Sequence, residues 1–224
     1  LIDACLVGEP TNPKSLGEMI KIGRRGSLNA IVRVSGTQGH VAYPDIADNP
    51  LPRLLTFLKA AEDHIFDTGN ENFPPTNLEI TSVDVGNSIT NLIPEEAEAR
   101  LNIRFNNEHT GADLRTFLET LCQRLAGDKS RIDISISGES FLTPPGRLST
   151  IVSEAVAHVT GVQPKLSTTG GTSDARFIHK YCPVVEFGLI NETAHKIDEN
   201  ALVEDILALT DIYEETLIRY FDAP

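Results

Sequence analysis

Residues 27–36 read SLNAIVRVSG, in which apolar and polar side chains alternate. The apolar members of this segment are Leu28, Ala30, Val32 and Val34. A period of two predicts a β-strand with one buried face. Three further segments alternate in the same way, residues 76–86, 96–106 and 131–138. We therefore predict a sheet of four strands in this part of the chain.

Two helices are predicted between these strands. Residues 49–65 and 111–126 carry apolar side chains at intervals of three and four, the spacing of a helix with one buried face. The resulting order is β-α-β-β-α-β, which is the arrangement of ferredoxin-like folds. We therefore predict that residues 26–138 form a compact α+β domain.

The segments on either side have a different pattern. Residues 183–190, PVVEFGLI, are almost continuously apolar, as is typical of a strand in a sheet covered on both faces. Residues 1–8 read as another short strand, and a turn followed by a helix is predicted over residues 143–161. A second helix is predicted over residues 199–221 from the stripe Leu202, Ile206, Leu207, Leu209, Ile212, Leu217 and Ile218.

These elements predict an α/β fold with an α+β insertion. We expect residues 1–25 and 139–224 to form one domain, a sheet flanked by helices, with residues 26–138 inserted between its two parts. Because the first strand starts at residue 1, without a lead-in, we also expect the chain to be a fragment of a longer protein.

Composition excludes several classes of protein. The chain has 224 residues and a net charge of −13, from 19 basic and 32 acidic residues. Such acidity without clusters of Lys or Arg argues against nucleic acid as the main partner. No apolar run approaches the roughly 18 residues that span a bilayer. The 3 cysteines form no CxxC pair, which is typical of a protein in a reducing cytoplasm.

One glutamate and two histidines lie where functional groups are expected. Glu9 follows the strand at residues 1–8, and His195 follows the apolar run at residues 183–190. Functional groups of α/β folds gather at the carboxyl ends of strands, and a carboxylate with an imidazole would suit a zinc ion there. His40 lies in the glycine-flanked turn SGTQGHVAYP. It is either a loop histidine that forms a hydrogen bond with the backbone or a functional residue of the site.

The loop STTGGTSDARF, residues 167–177, predicts an unusual backbone. Gly170 and Gly171 permit positive φ angles, and the following Thr, Ser and Asp are good helix N-cap residues. The loop is either a helix cap alone or a site whose backbone N–H groups receive a carboxylate. Its GTSDA sequence is also close to the nucleophile turn of serine hydrolases, with Ala in place of the last Gly. Under that alternative Ser173, Glu186 and His195 would be the catalytic triad.

Two arginines are candidate ligands for anionic groups. Arg24 lies in the turn GRRGS, and Arg104 lies within the strand predicted over residues 96–106. A guanidinium can bind a carboxylate through two hydrogen bonds at once. Arg104 is otherwise an ordinary solvated strand residue.

Six motifs together resemble the family of dinuclear-zinc aminoacylases and carboxypeptidases. They are VGEPT, KIGRRGS, GTQGHVAYP, NLIP, GGTSDARF and VEFGLINETAHKIDE, and they cover nearly the whole chain from residue 8 to residue 199. Within that family, GHVAYP and HKIDE favour the desuccinylase branch over the acetylornithine deacetylases. The resemblance implies a bacterial cytoplasmic amidohydrolase that cleaves N-succinyl-LL-2,6-diaminopimelate to succinate and diaminopimelate, in diaminopimelate and lysine synthesis.

The resemblance also implies a cofactor and a set of site residues. The full-length enzyme would hold two Zn²⁺ ions per subunit, replaceable by Co²⁺, with Glu9 on one ion and His195 on the other. His40 would be catalytic, as a hydrogen-bond donor to the developing oxyanion. The residues implied to hold the succinyl and product groups are Arg24, Ser27, Tyr43, Asn91, Arg104, Gly171, Thr172 and Asn191.

For residues 26–138 the resemblance implies a lid that also forms a homodimer. His40 and Asn91 would then reach from one subunit into the active site of the other. The family's remaining ligands and its general base lie upstream of VGEP, so we expect the 224-residue chain alone to be inactive and to bind little or no zinc. A non-enzymatic dimerisation module and the serine hydrolase remain the alternatives.

Overall fold

The computed structural model describes residues 2–222. They form two compact units. We call Gly26–Glu139 the inserted unit, and we call the described residues up to Arg25, together with those from Ser140 onward, the flanking unit.

The strands and helices follow in chain order. The strands are β1 Cys5–Val7, β2 Met19–Lys21, β3 Gly23–Arg24, β4 Gly26–Ser35, β5 Gly39–His40, β6 Asn77–Asp84, β7 Leu92–Ile93, β8 Glu96–Phe105, β9 Ser130–Gly138, β10 Phe141–Leu142, β11 Lys165–Ser167 and β12 Val184–Glu186. The helices are α1 Leu51–Glu62, α2 Gly111–Ala126, α3 Arg147–Thr160, α4 Ala175–Ile178 and α5 Val203–Asp222. Within residues 2–222, no helix combines the length and the apolar character that crossing a membrane requires.

The inserted unit is built on an antiparallel sheet in the order β6-β8-β4-β9. β4 and β8 pair along their whole length, from Gly26 opposite Phe105 to Ser35 opposite Glu96. The apolar sides of these two central strands are buried together with apolar side chains of α1 and α2. Each fully buried Leu, Ile or Phe contributes about 1.5–3 kcal/mol. The α+β fold predicted for this part of the chain is confirmed.

Local sequence sets the ends of α2. The Thr110 hydroxyl accepts a hydrogen bond from the Asp113 N–H at 3.2 Å, and Asp113 accepts one in return from the Thr110 N–H at 3.4 Å. This reciprocal capping box begins the helix. At the other end Gly127 has φ +74°, a conformation that glycine adopts without the usual penalty.

The flanking unit contains a mixed sheet in the order β1-β12-β2-β11. β1 and β12 are parallel, β12 and β2 are antiparallel, and β2 and β11 are parallel. Its core combines apolar residues of the sheet region with α3 and α5, namely Ile20, Val152, Val156, Val185, Phe187 and Ile212. The prediction of an α/β sheet flanked by helices is confirmed.

Two predicted strands are shorter than the sequence indicates. β12 ends at Glu186, although the apolar run continues to residue 190. Beyond it, a Cβ at Gly188 would collide with the backbone of Glu9, so the two segments pass in close contact without a regular ladder. β1 spans only Cys5–Val7, and Leu1 lies outside the described residues.

The final helix also differs from its prediction. It begins at Val203, because Thr193 exchanges hydrogen bonds with the backbone of Asn200 and holds the preceding segment in turns. Its fully buried side chain is Ile212, accompanied by Thr216. Several members of the predicted apolar stripe are exposed instead, namely Leu202, Ile206, Leu207, Leu217 and Ile218. Helical spacing predicts the helix, but the packing on α3 decides which side of it is covered.

Candidate active site

Glu9 and His195 lie beyond the same edge of the flanking-unit sheet. β1 and β12 are parallel, with Val7 opposite Glu186, so both strands end at that edge. The segments that follow them remain in contact, since the Asn12 N–H donates to the Leu189 carbonyl at 3.3 Å. Both Glu9 and His195 line one cavity of about 530 Å³.

A buried asparagine holds this edge together. The Asn12 amide oxygen accepts hydrogen bonds from the Gly17 N–H at 3.1 Å and the Met19 N–H at 2.9 Å. Its Nδ2 group donates to the Gly188 carbonyl at 2.6 Å. The side chain therefore connects the segment after β1 with the segment after β12 and satisfies buried backbone groups of both.

The backbone at His195 is unusual. Its φ angle is +62°, in the left-handed region that residues other than glycine seldom adopt. Its N–H donates to Glu199 Oε2 at 3.3 Å. A conformation of this kind costs on the order of 1 kcal/mol, and strained backbone of this kind clusters at active sites and ligand-binding segments.

The structure brings six of the predicted site residues to one cavity. They are Glu9, Arg24, Gly171, Thr172, Asn191 and His195. The predicted residues of the inserted unit form two separate groups, one around His40 and one around Arg104.

Arg24 is held by a buried carboxylate. Its Nε donates to Glu186 Oε2 at 2.9 Å and its Nη2 donates to the same oxygen. The Ser173 hydroxyl donates to the other oxygen of Glu186, and all three residues are buried. No imidazole stands between Ser173 and Glu186, so this geometry does not support the serine triad. Glu186 orients Arg24 and anchors the loop instead.

Gly170 lies directly beside Arg24. Its φ angle is +103°, and a Cβ at this position would lie 2.8 Å from Arg24 Nη1. Glycine is therefore required both for the turn and for the close approach of the guanidinium.

Lys21 lines the same cavity and is 4% exposed. Its Nζ donates to the hydroxyls of Thr169 at 2.7 Å and Ser167 at 3.2 Å, and to the Met19 thioether at 2.8 Å. Burial, followed by the nearby positive charge of Arg24, lowers the pKa of Lys21 from 10.5 to about 8. The cavity thus contains a buried ammonium group with uncharged hydrogen-bond partners.

In the inserted unit, His40 lies with Tyr43 and Asn91. His40 is opposite Leu92 in the β5–β7 pair, and its ring lies 5.8 Å from that of Tyr43, centroid to centroid. Its Nε2 is 3.4 Å from Asn91 Nδ2, and its Nδ1 accepts a hydrogen bond from the Ala42 N–H at 3.1 Å. A neutral imidazole that accepts at Nδ1 carries its proton on Nε2. Asn91 Nδ2 is itself a donor, so in the tautomer that accepts from Ala42 the Nε2–H group faces Asn91 Nδ2 without an acceptor there.

Ser27 and Arg104 form the second group of the inserted unit. They face each other in the β4–β8 register, and Ser27 is buried. Arg104 Nε donates to Asn102 Oδ1 at 3.0 Å. Among residues 2–222, Arg104 is thus held by an amide of its own strand and has no carboxylate contact of the kind that holds Arg24.

The cavity contains two of the donor groups that a zinc site uses. Glu9 and His195 supply a carboxylate and an imidazole, both of which zinc accepts, and they line the same cavity. Among residues 2–222, no group of three or more His, Cys, Asp or Glu side chains is arranged to hold a metal ion. These two residues therefore fit part of a zinc site.

Sequence reasoning missed Lys21 and misread Glu186. Lys21 is the first residue of KIGRRGS and lies between Ile20 and Ile22. A lysine flanked by apolar residues in a short strand is the signal that could have identified it as a buried cation. The sequence predicts a role for Glu186 only as the acid of the alternative serine triad. Its pairing with Arg24 joins residues far apart in the chain and has no local signature.

Residues 22–130 match the family model described as a peptidase dimerisation domain. Over 224 residues the chain is 55% identical to a succinyl-diaminopimelate desuccinylase of Parvibaculum lavamentivorans, an alignment that covers 98% of this chain and 56% of the relative. The enzyme of that name from Ehrlichia canis is 52% identical over 221 residues, covering 99% of this chain and 58% of the relative. The family resemblance carried by the six motifs is confirmed.

Solved structures show the same fold. An M20 family metallo-carboxypeptidase of Sulfolobus solfataricus matches with a TM-score of 0.77 and 17% identity, over 96% of this chain and 63% of that one. A tripeptidase of Staphylococcus aureus matches with a TM-score of 0.74 and 17% identity, over 91% of this chain and 54% of that one. The chain spans little more than half the length of the curated relatives named above, 56% and 58%.

Proposed function

We propose that the chain is part of a metal-dependent amidohydrolase, because residues 22–130 match a peptidase dimerisation domain and 98% of the chain aligns at 55% identity with a succinyl-diaminopimelate desuccinylase. The proposed reaction is hydrolysis of N-succinyl-LL-2,6-diaminopimelate to succinate and diaminopimelate. We place this reaction in diaminopimelate and lysine synthesis, in the cytoplasm of a bacterium.

The observation that carries this proposal is the composition of the flanking-unit cavity. Glu9 and His195, which are zinc donors by type, line it together with two cations, Arg24 and Lys21. A substrate that combines a scissile amide with several carboxylates needs both kinds of group within reach. The Gly170-Gly171 loop lines the same cavity. Because glycine has no side chain, the backbone of this loop would lie close to a substrate in the cavity.

The cofactor we propose is a pair of Zn²⁺ ions per subunit of the complete protein, with Co²⁺ as a substitute. Glu9 would hold one ion and His195 the other. Bound zinc would supply Lewis acidity to the amide carbonyl. The remaining ligands and the general base would come from residues outside this chain, so we propose that the 224 residues alone are inactive.

The chain's own residues would bind and orient the substrate. In the flanking unit Arg24, Gly171, Thr172 and Asn191 would hold anionic and amide groups of the substrate. In the inserted unit, Ser27, Tyr43, Asn91 and Arg104 are proposed for the remaining polar groups. His40 would donate a hydrogen bond from Nε2 to the amide oxygen as negative charge develops there, which is the kind of interaction that oxyanion holes provide. We further propose a homodimer formed by the inserted unit, which matches a dimerisation domain.

The test uses the complete gene product. We expect it to release succinate and a free amine from N-succinyl-LL-2,6-diaminopimelate, to lose this activity on chelation and to regain it with Zn²⁺. Glu9→Gln and His195→Ala should each lower the bound zinc measured by elemental analysis. N-Acetylornithine serves as the control substrate. Equal activity in the presence of a strong chelator, or a clear preference for N-acetylornithine, would contradict the proposal.

A further inference from the structure

His40 lies in a loop that connects β4 with α1, and we call residues 36–48 the His40 loop. Residues 41–46 of this loop are all exposed, so the apolar core of the inserted unit does not hold them in place. A segment with few buried contacts keeps its conformation through hydrogen bonds and ion pairs. The position of the His40 imidazole therefore depends on the polar contacts that attach this loop to the rest of the inserted unit.

Thr37 and Asp48 face each other at the two ends of the His40 loop. The Thr37 N–H donates to the Asp48 carbonyl at 2.9 Å, and the Asp48 N–H donates to the Thr37 carbonyl at 3.0 Å. A Cβ at Gly36 would collide with the Asp48 carbonyl oxygen, so the two ends are in direct contact. This backbone contact is an isolated pair. It holds the ends together but does not by itself fix the direction in which the loop leaves the inserted unit.

The Asp48 side chain supplies the missing attachment. Arg53 donates from Nη1 to Asp48 Oδ1 at 2.7 Å and from Nη2 to Oδ2 at 3.1 Å, and Lys129 Nζ donates to Oδ2 at 2.9 Å. Arg53 belongs to α1, and Lys129 lies between α2 and β9. Arg53 Nη2 also donates to the carbonyl of Ser35, the last residue of β4, at 2.9 Å. One carboxylate thus connects the end of the His40 loop with α1, β4 and the α2–β9 connection.

These two cations also keep Asp48 charged. Hydrogen bonds from Arg53 and then from Lys129 lower the pKa of Asp48 from 3.8 to about 2. The carboxylate is therefore ionised throughout the neutral pH range. Partly exposed ion pairs contribute little to stability, but a guanidinium that binds both oxygens of one carboxylate fixes their relative orientation. The contacts of Asp48 accordingly determine geometry more than they determine stability.

We propose that Asp48 is a positioning residue for His40. This role rests on the proposed function, in which His40 donates a hydrogen bond to the amide oxygen as negative charge develops there. Asp48 acts through the His40 loop, by keeping its end in one orientation relative to α1 and β4. A donor of this kind is sensitive to small displacements, since a shift of about 1 Å can reduce the rate about 10²-fold. A change at the end of the loop is therefore transmitted to the imidazole.

Asp48→Asn in the complete protein tests this role, because it removes the charge and keeps the shape of the side chain. We expect kcat for N-succinyl-LL-2,6-diaminopimelate to fall about tenfold while KM stays within about twofold, because the interaction of His40 is made in the transition state. The loss is smaller than that expected for His40→Ala, because the β5–β7 pair still holds His40 opposite Leu92. Asp48→Glu keeps the charge and should lose less kcat than Asp48→Asn.

Asp133→Asn is the matched control. Asp133 also lies between two cations of the inserted unit, with Arg33 Nη1 at 2.9 Å and Arg131 Nη2 at 2.8 Å. Its side chain is 40% exposed, compared with 27% for Asp48. It belongs to β9, which pairs with β4. Asp133→Asn should leave both kcat and KM within about twofold. An equal fall of kcat in the two variants would overturn the proposal.

A double-variant cycle separates positioning from a general loss of stability. If Asp48 acts through His40, Asp48→Asn should lower kcat about tenfold in the wild-type background and within about twofold in the His40→Ala background, where the positioned group is already absent. The same factor in both backgrounds would overturn the proposal, because it would show that Asp48 affects activity independently of His40.

Hydrogen exchange provides a measurement that does not depend on catalysis. The Thr37 N–H donates to the Asp48 carbonyl at 2.9 Å and the Val41 N–H donates to the Asn91 carbonyl at 3.0 Å, so both amides report on the His40 loop. We expect Asp48→Asn to accelerate their exchange about tenfold and Asp133→Asn to leave it within about twofold.

The two measurements distinguish a failure of this inference from a failure of the proposed function. Faster exchange of the Thr37 and Val41 amides in Asp48→Asn, with no hydrolysis by the wild type, would support the positioning of His40 by Asp48 and contradict the proposed reaction. Hydrolysis by the wild type with an unchanged kcat in Asp48→Asn, or unchanged exchange of the two amides, would overturn the role of Asp48 and leave the reaction in place.

Discussion

Arg24 donates from both Nε and Nη2 to the same carboxylate oxygen of Glu186, and the two side chains are almost completely buried. The residues are 162 positions apart in the chain, and the ion pair connects β3 with β12. The Ser173 hydroxyl occupies the other oxygen of Glu186. One carboxylate thus fixes a guanidinium and the loop after β11 at the same time.

The first prediction concerns this ion pair. Glu186→Gln leaves the Arg24 charge buried without its partner, and we expect a loss of about 3 kcal/mol in the free energy of unfolding. The double variant Arg24→Met/Glu186→Leu should recover most of that loss while substrate binding weakens. Ser173→Ala, which removes one hydrogen bond, should cost about 1 kcal/mol. Denaturant titration measures the free energy of unfolding of all three variants. A double variant as unstable as Glu186→Gln would show that an unpaired buried charge is not the cause of the loss.

The second prediction concerns the proton on His40. Because the Ala42 N–H donates to Nδ1, the donor atom of the neutral ring is Nε2. His40→Ala in the complete protein should reduce kcat/KM by about 10²-fold or more. His40→Gln places an amide N–H near the former Nε2 position and should retain more activity than His40→Asn, whose amide reaches only the Nδ1 position. The opposite order of these two variants would show that Nδ1 is the functional atom.

The third prediction is complementation between subunits, which follows from the proposed homodimer. His40→Ala and His195→Ala homodimers should each be nearly inactive. In a mixed dimer, one site combines an intact His195 with an intact His40 from the other subunit, so equal mixing should restore about a quarter of the wild-type sites. Co-expression with two different tags identifies the mixed dimers. If they form and remain inactive, His40 does not act across the dimer.

The fourth prediction is that Lys21→Met stabilises the protein. The fall of the Lys21 pKa from 10.5 to about 8 means that the fold disfavours its charged form, which corresponds to about 3 kcal/mol. The unfolded chain binds the proton more tightly, so this penalty is complete below pH 8 and disappears as the pH rises toward 10.5. Lys21→Met should therefore melt at a higher temperature than wild type at pH 7, and the difference should shrink by pH 10. Lys165→Met should show no such trend.

The fifth prediction concerns Asp67 in the inserted unit. Its side chain is 4% exposed and accepts hydrogen bonds from the Gly69 N–H at 2.7 Å and from Asn106 Nδ2 at 2.8 Å. Burial by itself would raise the pKa of Asp67, but the hydrogen bonds from Thr76, Gly69 and Asn106 together lower it below 3.8. The stability that these bonds supply is present above pH 3.8 and is lost as the pH falls through the lowered value.

Asp67→Asn removes the charge that these donors stabilise, and it should cost about 2 kcal/mol at pH 7. Asp45 is exposed, so Asp45→Asn serves as the control and should change the free energy of unfolding little. Thermal denaturation at pH 7 and at pH 3 measures both. An Asp67→Asn variant as stable as wild type at pH 7 would show that the hydrogen bonds from Gly69 and Asn106 to the carboxylate do not stabilise the inserted unit.

The inserted unit shows how much of a fold is determined locally. The alternation from Leu28 to Val34 and the helical spacing of residues 111–126 correspond to β4 and α2, because one-sided burial selects side chains at the period of the backbone. The capping box at Thr110 acts over three residues and can be read directly from the sequence. The motifs around Glu9 and His195 likewise identify candidate ligands, since they are short and contiguous.

What the tertiary structure decided depends on contacts between distant residues. The sequence places Leu217 and Ile218 on an apolar stripe of the last helix, yet Ile212 is the fully buried side chain, because only the packed neighbours determine which side is covered. Glu186 becomes the partner of Arg24, and Lys21 becomes a buried ammonium at a cavity wall, because sheet pairing brings β2, β11 and β12 together. Burial and charge pairing are properties of that three-dimensional arrangement, and a residue's identity and position in the chain do not specify them.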